Sequence, residues 1–422
     1  MIHVNPTHLR SFLAVAGTGS ITRAAQCVSR VPSAVTHAVQ DLESSLDVSL
    51  FERHPHGMRL TEFGSLLRHR SELAFQEMDK ARQALDDLPQ ARPYKHQAPL
   101  FTLGITRQRL LVFVALIEQC HMGTVARSFG ISQAAVSLAL KDIEQSLGLT
   151  LLARTPTNLV PNEAGRLLAL HVQRALGELS KAEEEIATRL HGITGHVVVG
   201  TLSLGRGWLL PQAILQVSRQ HPDIRISTVE GSFEHLVAML HATRIDFMLG
   251  GLRPAEQMPG LLSRSVLLSG IVFLGRRGHP GAQAAGTEGW PFLTGARWIL
   301  PGHGTWTRSA VETALAEHGL PPPYVAIETA DVTITRALLL TSDLISAASP
   351  HLFQNEIDAG DLVVLPLAPE TAAREIGIVM RANSQPTIAS RLLMSAITDL
   401  AVGEAGGTEA PPPRAGSIPP PS

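Results

Sequence analysis

The feature that most constrains this chain is an internal repeat. Phe12 and Phe113 stand 101 residues apart (113 − 12), and the same ungapped offset matches Leu9 with Leu110, Ala14 with Ala115 and Ala25 with Ala126. It runs on through Ala34-Val35 and Ala135-Val136, Asp41 and Asp142, Glu43 and Glu144, Leu46 and Leu147, and Leu50 and Leu151. Arg53 and Arg154, Glu62 and Glu163, and Gly64 and Gly165 complete it. Apolar positions meet apolar positions in one unbroken register, which is what a copied module leaves behind. After each copy comes a helical stretch with apolar steps of three and four. These are Leu67, Ala74, Met78, Ala81, Leu85 and Leu88 after the first, and Leu168, Val172, Ala175, Leu179, Ala182 and Ile186 after the second. Such a stripe is either a seam for another helix or one face of a helix packed on its own domain.

The boundaries follow from these patterns. A first module is expected over 1–65 with a long helix over 66–88, then a linker over 89–105 opened by Pro89 and Pro93. The second module takes 106–165 and its helix 166–191, ended by Gly192. Beyond residue 195 the period changes. His196–Gly200, Ile224–Val229 and Ile245–Leu249 read as strands, and Leu210–Gln220 and Phe233–Thr243 as helices. Continued alternation to 402 predicts an α/β domain with a parallel sheet. The Pro-rich tail, 403–422, is expected to be disordered.

Composition sets limits. A chain of 422 residues has material for two to four domains. With 4% aromatic residues, base-stacking platforms are excluded, and a net charge of −2 excludes a general nucleic-acid glue. Any grip on DNA has to come from a few placed residues. Cys27 and Cys120 make neither a disulfide framework nor a four-ligand zinc site, and read as free thiols in a reducing cytosol, with a redox-sensing pair as the alternative. The start of the chain lacks a secretory signal, and apolar runs such as Leu110–Ile117 are too short to span a bilayer, so a cytoplasmic protein is expected. His-Glu-x-x-His, Gly-x-Ser-x-Gly, P-loop and Gly-x-Gly-x-x-Gly motifs are absent, and His235 and His241, six apart, do not share a helical face. Neither an enzyme nor a cofactor is expected.

Within the first copy, Leu9, Phe12, Leu13 and Ala16 form one helical face, broken by Gly17-Thr18-Gly19. Ser20 is placed to cap a second helix from Ile21 to about Val28. After a turn at Ser29–Val31, a third helix starts at Pro32, where a missing N–H costs nothing. Val35, Val39, Leu42 and Leu46 form its apolar face, and Ser33, Thr36, His37 and Gln40 its polar one. Small polar residues at the head of a third helix suit entry into a major groove. Leu50–Thr61 then reads as a β-wing, with Arg53 and Arg59 placed for phosphate or minor-groove contact.

These residues carry a resemblance. His8 to Gly64 resembles the N-terminal domain of LysR-type regulators in its Leu-x-x-Phe start, Gly-Ser-Ile-Thr-Arg-Ala-Ala, Ala-Val-Thr-x-Ala-Val-x-x-Leu-Glu, Leu-Phe-Glu-Arg and Leu-Thr-Glu-x-Gly. The resemblance implies a winged helix-turn-helix that binds DNA through Ser20, Thr22, Arg23, Pro32, Ser33, Thr36, His37, Gln40, Arg53 and Arg59, and a following helix that dimerises. Where the family usually has Ser-Gln-Pro-Ala, this chain has Val31-Pro32-Ser33-Ala34. It therefore lacks a cap worth about 1 kcal/mol, and a glutamine. The second copy keeps both in Ser132-Gln133-Ala134-Ala135-Val136-Ser137, carries Lys141 and Arg154, and has an apolar Leu138 on the polar face. Ser132, Gln133, Ala134, Ser137, Lys141 and Arg154 are its candidate DNA contacts. The alternative is a degenerate copy retained for packing.

From Gly195 the chain resembles the effector-binding domain of the same family, a two-lobed fold shared with periplasmic solute-binding proteins. The matching stretches include Val199-Gly200-Thr201, His221-Pro222-Asp223, Glu230-Gly231-Ser232 and Trp298-Ile299-Leu300-Pro301. Ligands in such sheets bind beyond the carboxyl ends of strands. That points to Thr201, Ser203, Arg206, Gly231 and Ser232, and in the other lobe to Thr305, Trp306 and Arg308. Arg206 or Arg308 suits a carboxylate, and Trp306 a sugar or aromatic face. The expectation is an α/β chain with two all-α winged helix-turn-helix modules and a two-lobed sensor. Its partners would be double-stranded DNA and a small-molecule effector, without a membrane. It would work as a homo-oligomer (dimer or tetramer) or as a pseudo-dimer within one chain. The rival reading is a solute-binding protein whose helix-turn-helix segments are degenerate scaffolds.

Overall fold

The computed structural model describes residues 3–55, 57–88, 94–154, 159–367, 369 and 373–405. The tail from 406 onward and the Pro89–Pro93 break lie outside the described residues. The chain forms two compact units, one of residues up to Gly195 with His241–Thr243, the other of the rest. Among the described residues, no helix is long and apolar enough to cross a membrane.

The first unit begins with α1 (Pro6–Thr18), α2 (Ile21–Cys27), α3 (Pro32–Leu46), the hairpin β1 (Phe51–His54) and β2 (Gly57–Leu60), and α4 (Glu62–Asp86). The same order then follows: α5 (Arg107–Gln119), α6 (Met122–Phe129), α7 (Gln133–Leu147), β3 (Leu152–Arg154), β4 (Leu159–Pro161) and α8 (Glu163–His191). The two series share side-chain contacts at several matched positions. Glu43 Oε1 accepts the N–H of Leu50 at 2.7 Å and of Phe51 at 3.3 Å, while Glu144 Oε1 accepts those of Leu151 and Leu152 at the same distances. Thr61 caps α4 by accepting the N–H of Gly64, and Asn162 caps α8 by accepting that of Gly165. A carboxylate that ties the third helix of each series to the start of its hairpin fixes the hairpin's angle, so both hairpins leave their helices alike.

One apolar core runs through both series. Helices α4 and α8 lie side by side and antiparallel, because Glu62 pairs with Arg189, Arg70 with Glu178 and Glu185, and Glu77 with His171. Leu67, Ala74, Met78, Ala81 and Leu85 are buried in α4, and Leu168, Val172, Ala175, Leu179, Ala182 and Ile186 in α8. The expected linker does not behave as a spacer after residue 93. Tyr94, Ala98, Leu100, Phe101 and Leu103 are buried in the shared core, because their apolar surface gains from leaving water.

The second unit continues with β5 (Gly195–Thr201), α9 (Ser203–Arg206), α10 (Leu209–Gln220), β6 (Ile224–Glu230), α11 (Phe233–His241), β7 (Phe247–Gly251), β8 (Leu261–Gly270), β9 (Val272–Arg276) and α12 (Pro280–Glu288). It ends with β10 (Arg297–Leu300), α13 (Trp306–Glu317), β11 (Tyr324–Glu328), α14 (Val332–Thr341), β12 (Ile345–Ala348), α15 (Gln354–Asp358), β13 (Leu362–Val364), β14 (Ala373–Arg381) and α16 (Ile388–Ala405). The strands form two five-stranded sheets, in the orders β6-β5-β7-β14-β8 and β11-β10-β12-β9-β13.

The expectation of a parallel sheet is corrected. β5 runs parallel to β7, and β10 to β11 and β12, but β14 is antiparallel to β7 and β8, and β9 to β12 and β13. The reason is the passage between lobes. β8 and β9 are separated only by Ile271, so the chain crosses without the helical connection that parallel pairing needs. The helix expected to reach Thr243 stops at His241, and the strand expected from Ile245 starts at Phe247. Asp246 is held outside the strand, where its carboxylate accepts the Val198 N–H at 2.8 Å.

Candidate nucleic-acid interface and effector cleft

In the first series, Ser20 caps α2 by accepting the Arg23 N–H at 3.5 Å, and Thr22 and Arg23 are exposed on that helix. Helix α3 starts at Pro32 with Val31 before it and no side-chain cap. Val35, Ala38, Val39, Leu42 and Leu46 bury one face, while Pro32, Ser33, His37 and Gln40 are exposed on the other. Thr36 is half-buried and its hydroxyl donates to Pro32 O at 3.1 Å, which leaves its lone pairs to accept. On the wing, Arg59 stands opposite Glu52, and Arg53 opposite Met58. Side chains alternate across a pleated strand, so the two exposed arginines face opposite sides of the wing. Gly57 has φ +126°, and a Cβ there would meet Gly19 O at 2.4 Å, which is why the wing can lie against the end of α1.

In the second series, Ser132 caps α7 by accepting the Ala135 N–H at 3.1 Å. Ala134 and Lys141 are exposed and Ser137 is half-buried. Leu138 is 52% exposed. Gln133 is exposed, and its amide nitrogen lies beside the start of α6, 2.8 Å from where a Gly123 Cβ would stand. The missing side chain at Gly123 makes room for it. Arg154 lies in β3, and its side chain falls outside the described residues, as do residues 155–158.

The second unit holds a cleft of about 420 Å³ lined from both sheets. Of the eight expected effector residues, Ser203, Arg206, Gly231, Thr305 and Trp306 line it. Thr201, Ser232 and Arg308 do not. Thr201 is buried in β5, and Ser232 accepts the His235 N–H at the head of α11. Arg308 is buried, and its Nε donates to Glu312 at 2.6 Å one turn on. Arg206 is already neutralised by Glu230.

Sequence reasoning missed the two arginines that leave charge in this cleft. Arg253 sits 5.1 Å from the Phe233 ring centre, and Arg374 5.8 Å from that of Trp306. The Arg374 guanidinium lies on Gly251, where a Cβ would come within 2.4 Å of Cζ, and donates to the carbonyls of Gly251 and Leu252. Burial, and then the charge of Arg253, push the Arg374 pKa down. Among the described residues neither arginine has a carboxylate in an ion pair; the exposed Glu234 feels Arg253 only through its field. Arg253 follows the carboxyl end of β7 and was within reach of the strand-end rule. Arg374 was not, because only the antiparallel pairing of β14 with β7 brings it there.

A helical reader with a hairpin wing, joined to a two-lobed α/β domain with a charged cleft, defines a ligand-responsive DNA-binding regulator. Residues 191–401 match the LysR substrate binding domain, and 6–65 and 108–166 match the bacterial regulatory helix-turn-helix protein, lysR family. The chain is 38% identical over 404 residues to the HTH-type transcriptional regulator GalR of Pseudomonas putida, covering 95% of this chain and 98% of that protein. It is 29% identical to the HTH-type transcriptional regulator GbpR of Azospirillum brasilense, covering 68% of this chain and 84% of that one. A point variant of full-length OxyR from Pseudomonas aeruginosa shares the fold, with a TM-score of 0.50 at 18% identity over 69% of this chain and 94% of that one. The chain belongs to the LysR family and is a transcription regulator.

Proposed function

We propose that the two helix-turn-helix segments are a duplicated module, that both grip DNA, and that one chain supplies the paired readers the family resemblance expects from two. The observation that carries this is the polar pattern of the seam. Arg70 pairs with Glu178 at 2.8 Å, and the positions 101 residues from these two, His171 and Glu77, pair at 3.0 Å. Lys80 pairs with Glu77, and its counterpart Lys181 with Glu178. Position i touching the counterpart of j, while j touches the counterpart of i, is the signature of a two-fold interface. Here it closes within one chain, so a monomer is a pseudo-dimer. DNA binding places its work in the cytoplasm.

In the sensor, Ser203, Arg206, Gly231, Thr305 and Trp306, with Arg253 and Arg374, form the effector site. Two arginines without carboxylate partners, one of them half-buried, favour an anionic effector. The aromatic rings of Phe233 and Trp306 favour an apolar body beside the anion.

Light scattering with footprinting tests the pairing. A monomer that protects two half-sites is expected. Gln40→Glu and Lys141→Glu, one on each recognition helix, should each weaken operator binding, and Lys141→Glu should also flatten the salt dependence by about one phosphate's share. Unchanged affinity in Lys141→Glu would make the second segment a scaffold.

A further inference from the structure

We propose that the operator of this chain is not a palindrome, because the two readers present different chemistry to two unlike half-sites. The inference rests on the reading that both segments contact DNA. The inward positions of α3 and α7 are matched: Val35 and Val136, Ala38 and Ala139, Val39 and Leu140, Leu42 and Ile143, Leu46 and Leu147 are all buried apolar residues. Matched cores seat both helices alike in their segments.

Four exposed outward positions differ, although Ala34 and Ala135, and Asp41 and Asp142, match. Pro32 stands where the other helix has Gln133, Ser33 where it has Ala134, His37 where it has Leu138, and Gln40 where it has Lys141. His37 and Leu138 decide most. Both are exposed on the first two turns, on the face opposite the core. An imidazole exchanges hydrogen bonds with a base edge, whereas a leucine has none to exchange and packs against the thymine methyl. An isolated exposed leucine is common on any surface. This one occupies the reading position of a recognition helix, in register with a histidine that reads differently. Gln40 can pair both of its groups with adenine, whereas Lys141 can only donate, to guanine or to phosphate.

The duplication also removes a constraint. In a homodimer every substitution appears in both half-sites, so the two readers cannot diverge. In a pair carried by one chain, a change at residue 138 leaves residue 37 untouched.

The test is selection of bound duplexes from a random library by the full chain, in the native form and as His37→Leu and Leu138→His. Both positions are exposed, and thermal melting of each variant checks that it folds. Two unlike half-sites are expected from the native chain. Leu138→His should cost the preference for thymine in one half-site only, by about tenfold or more in relative affinity. His37→Leu should alter only the other. Two identical half-sites in inverted repeat would overturn the inference and leave the two-reader proposal standing. A single half-site would overturn the two-reader proposal itself. Unlike half-sites that ignore both substitutions would overturn the assignment to residues 37 and 138.

Discussion

Glu77 shows how one carboxylate works inside the helix seam. Burial alone pushes its pKa up, yet hydrogen bonds from His171 and Lys80 and the charges of Lys80 and Arg174 prevail and bring it from 4.5 down to about 2. A pKa below its ordinary value favours the folded state above pH 4.5, and that contribution is lost as pH falls from 4.5 toward 2. Urea midpoints of the native chain are therefore expected to drop across that window. Glu77→Gln should start less stable at neutral pH, because His171, Lys80 and Arg174 lose the carboxylate's charge and one of its two acceptor oxygens, and should change less with acid. Equal slopes for the two proteins would remove Glu77 from the account. That residue 77 lies beside the apolar stripe, next to Met78, was legible in the sequence. That its partner is a histidine 94 residues away was not.

At the scale of elements, the fourth helix of each series starts in the same steric trap. A Cβ on Gly64 would lie 2.1 Å from Leu50 O, and one on Gly165 would lie 2.4 Å from Leu151 O. Glycine is required so that the helix can start against the wing strand. Gly64→Ala and Gly165→Ala are each expected to destabilise the protein by about 1–3 kcal/mol, read from urea unfolding, with Gly64→Ala the more severe. A neutral result in one alone would mean that the two segments do not share this packing. The repeat made the glycines visible as a pair, and helix boundaries came within a few residues from caps and apolar spacing. The reason for the glycines lay in a carbonyl from another element, which no local pattern encodes. For the same reason the stretch that buries Tyr94, Ala98, Leu100, Phe101 and Leu103 passed for a linker.

For the sensor as a whole, what matters is where the two sheets bring charge. Benzoate is a simple flat anion for probing the cleft, and benzamide its uncharged counterpart. Benzoate should raise the melting temperature of the native chain more than benzamide does, since a ligand stabilises the state it binds. Arg374→Met and Arg253→Met should erase that difference, while Arg308→Met should keep it, because Arg308 does not line the cleft. If the Arg374 and Arg253 variants respond like the native chain, the cleft does not select its ligand by these charges.

By itself the sequence determined the repeat, the helix-turn-helix order, the apolar stripes of the long helices and the change to an α/β domain. These are periodic or motif signals carried by residues close together along the chain. Only the tertiary structure decided that the two stripes pair with each other, that the sheets are mixed, and that Arg253 and Arg374 share a cleft while Arg308 turns away. Each of those outcomes depends on which distant residues the fold brings within a few ångströms, and spacing along a chain does not record that distance.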